Sequence, residues 1–99
     1  MNKNVVELTG YVANVKEVSD KLVTFGLAVG VKVGEEDGKP VYKNGFVNCK
    51  ASKGNVTVTD KERVTITGWV SFDFYTPKDS DKERASMVVF VKELTPYTD

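Results

Sequence analysis

Val64-Thr65-Ile66-Thr67-Gly68-Trp69-Val70-Ser71-Phe72-Asp73-Phe74-Tyr75 alternates almost without fault. Apolar residues and glycine hold the even positions; hydroxyl, charged and large aromatic side chains hold the odd ones. Period two is the signature of a strand with one face buried, and no helix can present it. The same rhythm extends in both directions. Val6, Leu8, Gly10 and Val12 alternate with Glu7, Thr9, Tyr11 and Ala13 in a first strand. Val23, Phe25, Leu27, Val29, Val31 and Val33 share one parity, so residues 21–33 read as a long second strand. Residues 34–40 carry two glycines, three acids and a proline, and read as a loop. A third strand covers 41–51, with Val47, Cys49 and Ala51 facing in, and a fifth covers 84–94. Between the third and fourth strands, Asn55-Val56-Thr57-Val58-Thr59 is poor helix material, so a helix there is expected to be short or absent. Five strands separated by turns predict an all-β, antiparallel barrel or sandwich.

The composition narrows the possible functions. A chain of 99 residues has room for one domain with a modest core. At 40% hydrophobic and 28% charged it reads as an ordinary soluble globular protein. No apolar run approaches the roughly 20 residues of a membrane helix, and Met1-Asn2-Lys3-Asn4 has no signal-peptide core. A single cysteine, Cys49, agrees with a reducing compartment, and the expected location is the cytoplasm. Catalysis lacks its usual groups. There is no histidine, no second cysteine, and no serine beside an evident base, so the chain is expected not to be an enzyme. Glu35, Glu36 and Asp37 lack the alternating spacing of a calcium loop, and neither metal nor cofactor is expected.

The ordered motifs resemble the bacterial and phage single-stranded DNA-binding (SSB) proteins, which have the oligonucleotide/oligosaccharide-binding (OB) fold. Val6-Glu-Leu-Thr-Gly10-Tyr-Val12 is similar to the family's opening strand, with a glycine at the same place. Phe25-Gly-Leu-Ala28 resembles its second strand, and Glu36-Asp-Gly-Lys39 its acidic loop between strands two and three. Gly45-Phe46 lies where an aromatic residue opens strand three. Val64 to Val70 resembles strand four, and Phe74-Tyr75 with Lys78 to Lys82 the last hairpin. The resemblance covers nearly the whole chain, residues 1–99 as one OB domain, through order and spacing. It departs from the family in the reduced helix and at Ser52, where many members carry an aromatic residue. Pro96-Tyr-Thr-Asp99 also lacks the acidic tail that recruits replication proteins. The resemblance implies a sequence-tolerant binder of single-stranded DNA in replication, recombination or repair. It also implies a homo-oligomer, dimer or tetramer, of bacterial or phage origin.

Such binding needs ring faces for the bases and cations along the backbone. Tyr11, Phe46, Trp69 and Tyr75 fall on the outward parity. Tyr11 and Trp69 each follow a strand glycine, on strands the family pairs, so the two rings could form one platform. Phe25, Phe72, Phe74 and Phe90 are expected in the core or at an interface. Lys43 and Lys50 are placed on the outer face of strand three beside Phe46, and Lys53 follows. Lys78, Lys82 and Arg84 surround the last hairpin. Against this stands the charge: Lys+Arg 14 balance Asp+Glu 14, so binding by charge alone is expected to be weak and to lean on stacking and on local placement of lysines. The alternative is an OB adaptor of a replication complex that turns the same outward rings to a protein partner and does not bind DNA directly.

Overall fold

The structure is a computed structural model that describes residues 3–97; Met1, Asn2, Thr98 and Asp99, at the two chain ends discussed above, lie outside the described residues. Five strands follow in order: β1 Val6–Glu17, β2 Leu22–Glu36, β3 Lys39–Ser52, β4 Arg63–Tyr75 and β5 Arg84–Pro96. They close into a barrel in the order β1-β2-β3-β5-β4. No helix forms between β3 and β4. That segment runs in turns and seats Val56 in the core instead.

The sheet is mixed, which corrects the expectation of a purely antiparallel barrel. Four ladders are antiparallel, and β3 pairs β5 in parallel through Cys49–Val89, Lys50–Phe90 and Ala51–Val91. The reason is one of parity. Strand directions can alternate all the way round a closed ring only when the number of strands is even. Five strands force at least one parallel neighbour.

The core is built from the inward parity: Val12, Val23, Phe25, Leu27, Cys49, Ala51, Val64, Ile66, Val89 and Val91, with Val56 at one end. Each fully buried Leu or Ile contributes about 1.5–3 kcal/mol. Two glycines let the strands come close enough to coil. A Cβ on Gly10 would overlap the Ala28 carbonyl oxygen, and one on Gly68 the Phe90 carbonyl oxygen. Gly68 also sits at a bulge in the β4–β5 register, where extra bending is concentrated. Asn4 extends the barrel rim: its amide donates to the Val70 carbonyl at 2.8 Å, and the Val70 N–H donates to its Oδ1 at 2.8 Å.

Two hairpins outrun the barrel. β3 and β5 share only the short parallel pairing, so beyond it the β2–β3 and β4–β5 ribbons part and project on the same side. The radius of gyration, 15.7 Å, exceeds the roughly 13 Å of a compact domain of this size accordingly. The expected loop at 34–40 is a two-residue turn: Asp37 and Gly38 both have positive φ, 52° and 76°, as a type I′ hairpin requires. In the β4–β5 ribbon, Phe72 and Phe74 keep the inward parity but are exposed, so neither is a core residue of this chain. There is no barrel interior left for them to enter. Among the described residues no helix is long and apolar enough to cross a membrane.

Candidate nucleic-acid interface

The registers place the outward side chains in rows. Tyr11 pairs with Arg63 on one side and Ala28 on the other, and Ala28 pairs with Phe46. The first row is therefore Arg63, Tyr11, Ala28, Phe46, from four adjacent strands. Tyr11 and Phe46 stand two strand spacings apart, about 9.6 Å, with only a methyl group between them. Both rings are more than half exposed, at 54% and 66%. Gly26 lies under the edge of Phe46, and Gly30 lies beside Asn44. Small residues thus floor a shallow groove of about 300 Å³, rimmed by Tyr11, Arg63 and Asn44.

Arg63 is held by rings. Its guanidinium lies 4.2 Å from the Tyr97 centroid and 5.7 Å from that of Tyr11. The Tyr97 N–H donates to the Arg63 carbonyl at 2.9 Å, which brings that ring alongside. A guanidinium so oriented can stack on a base or meet a phosphate. Sequence reading missed Arg63, although its parity matches Trp69. It also missed Tyr97, whose place depends on pairing beyond the end of β5.

A second row runs through Thr24, Lys50, Phe90 and Trp69. Trp69 and Phe90 stack with centroids 5.0 Å apart and ring planes 18° apart. Phe90 is thus an outward, half-buried platform residue rather than core. Trp69 itself keeps 38% of its surface exposed. The single Tyr11–Trp69 platform does not form. Tyr11 pairs with Arg63, whereas Trp69 lies beyond the Val6–Gly68 pair at the other end of the ladder, about 20 Å away. Tyr75 is outward and exposed, but it lies on the projecting ribbon opposite Arg84.

The cations divide. Lys50 is on the outer face, four residues along β3 from Phe46, and links the two rows. Its Nζ donates to Asp73 Oδ1 at 2.7 Å. Lys43 corrects the expectation. It pairs with Val31, has the parity of Val47 and Cys49, and so faces away from Phe46. Lys53 lies at the far end of the barrel, paired with Glu17 at 3.0 Å. Lys78 and Lys82 are exposed in the 76–83 turn, and Arg84 is exposed at the start of β5. Tyr11, Phe46, Lys50 and Trp69 thus lie in the two outward rows of the barrel, and the other six lie outside those rows.

Burial pushes the Cys49 thiol up from its ordinary 9.0 to about 12. A thiol so buried stays protonated at neutral pH and packs as a small core side chain.

No family model matches the sequence, and no curated protein matches it. Solved structures do resemble it. The Plasmodium falciparum SSB in complex with single-stranded DNA superposes with a TM-score of 0.74, covering 99% of this chain and 97% of that one at 16% identity. A small single-stranded DNA-binding protein from Streptomyces coelicolor gives 0.62, with 98% and 96% coverage at 17% identity. The chain has an SSB-type OB fold. At these identities the likeness defines the architecture, and function has to be argued from the surface.

Proposed function

We propose that this protein binds single-stranded DNA without reading its sequence, in replication, recombination or repair, and performs no chemistry on it. The observation that carries the reading is the row Arg63–Tyr11–Ala28–Phe46: two exposed rings and a ring-held guanidinium over a floor of small residues. Stacking faces joined to cations are what sequence-tolerant binding requires. Support comes from the two similar structures, one a complex with single-stranded DNA and the other a single-stranded DNA-binding protein. The strand would pass from this row along Asn48 and Lys50 of β3 to the Phe90–Trp69 stack.

The whole chain acts as one domain in this reading, in the cytoplasm of a bacterial cell, whether cell- or phage-encoded. It works as a homo-oligomer, supported by the apolar side chains left uncovered on the projecting ribbons: Val31, Val33, Phe72, Phe74 and Met87. Trp69 is the only tryptophan, so titration with oligo(dT) is the direct test. Saturable quenching is expected, and it is expected to weaken in Phe46→Ala. An unchanged signal together with no mobility shift of the oligonucleotide would favour the adaptor reading.

A further inference from the structure

We propose that Asp73 is a built-in competitor for phosphate at Lys50, an acidic latch that a DNA strand must displace. The inference rests on the binding reading and adds its regulation. Lys50 is the cation of the row that holds the Phe90–Trp69 stack, and it stands directly beside Phe90. Asp73 is outward on β4, with β5 between it and β3. Lys50 is level with Phe90 and Asp73 with Ser86, so their charge-assisted hydrogen bond, 2.7 Å long, reaches diagonally across β5. It crosses the mouth where the two ribbons part, a cleft of about 260 Å³. Asn14, Asn48, Thr24 and Ser86 line that cleft with neutral hydrogen-bonding groups; Lys50 and Asp73 are its charged ones. A carboxylate oxygen thus occupies the place beside Lys50 where a phosphate oxygen would sit.

The pair is built to open. Its carboxylate is about half exposed, and a partly exposed pair is worth about 0.2–1 kcal/mol. The flexible lysine stem can swing from carboxylate to phosphate without backbone movement. Such an exchange alters the salt response. When an unpaired lysine meets phosphate, the DNA releases a counterion and the protein gains none. When Lys50 leaves Asp73, the freed carboxylate attracts a cation, and the two effects largely offset. A neutral protein with a latched lysine binds with restrained affinity and a shallow salt slope.

The test is oligo(dT) affinity across a salt series for wild type, Asp73→Asn, Lys50→Ala and the double variant, with Asp20→Asn as a remote charge control. Asp73→Asn is expected to bind two- to five-fold more tightly at low salt, the pair's worth expressed as affinity. Its log–log salt slope is expected to steepen by up to about one unit. The gain is expected to vanish when Lys50 is also alanine, and Asp20→Asn is expected to give none. An equal gain in Asp20→Asn would reduce the effect to net charge and overturn the latch. Asp73→Asn that melts at lower temperature and binds no more tightly would make the pair a structural strut, again overturning it. Wild type binding normally with Asp73→Asn unchanged removes the latch and leaves the binding reading intact. No binding by any variant defeats the binding reading and the latch with it.

Discussion

Trp69 and Tyr11 look equivalent in the sequence, each an outward ring after a strand glycine, yet their neighbours differ. Trp69 has Phe90 against its face, and Tyr11 has Arg63. Trp69→Ala is expected to weaken oligo(dT) binding by about 1–3 kcal/mol, the usual loss for one stacked base. Its effect is expected to be non-additive with Phe90→Ala, because the rings share a contact, and additive with Tyr11→Ala, about 20 Å away. A double-mutant cycle measured by fluorescence polarisation checks both. Cys49 offers a test of a different kind. Its folded-state pKa is raised above the ordinary value, so its contribution to stability is complete below pH 9.0 and is lost as the pH rises toward about 12. The urea midpoint is expected to fall further between neutral pH and about pH 10 in wild type than in Cys49→Ala. Equal alkaline losses in the two proteins would show that the thiol does not contribute.

At the scale of strands and turns, the glycines separate by what surrounds them. Gly68→Ala has to push the β4 backbone away from the Phe90 carbonyl, and is expected to cost about 1–3 kcal/mol or more. Gly45→Ala is the control, since a Cβ there meets nothing within 4 Å; its effect is expected to stay within about 0.5 kcal/mol. Thermal denaturation of the two variants decides the matter, and equal losses would refute the argument from strand coiling. The strands were legible in the sequence because alternation is a local property of each one. Their ends were less so. β2 runs on through Gly34-Glu35-Glu36, polar residues that read as loop, because the Asp37-Gly38 turn lets the ladder continue outside the barrel. Lys43 was misplaced for a simpler reason: it differs in parity from Phe46 and Lys50, and the pairing with Val31 places it on the other face.

For the molecule as a whole, the projecting ribbons expose Phe72, Phe74 and Met87 on the face that continues the barrel lining. Apolar side chains gathered on one ribbon mark a surface that association can cover, and a small barrel gains core by it. Sedimentation at micromolar concentration is expected to give a dimer or tetramer, and Phe74→Ser is expected to shift it toward monomer. A wild-type monomer would remove the claim. The period-two pattern determined by itself that this chain is all-β and which residues of each strand share a face, since a strand's two faces are set by alternation alone. How far the barrel interior reaches along each strand it did not determine, and Phe72 and Phe74 lie beyond it. Only the tertiary structure decided which outward groups meet. Closing five strands imposed the β3–β5 parallel pair, which set Lys50 beside Phe90; the antiparallel β4–β5 register set Trp69 on that ring. Arg63 came to Tyr11 and Tyr97, and Lys50 to Asp73, through register between strands distant in the chain. Register is a property of pairs of strands, fixed by long-range packing and by bulges, and no single strand's sequence contains it.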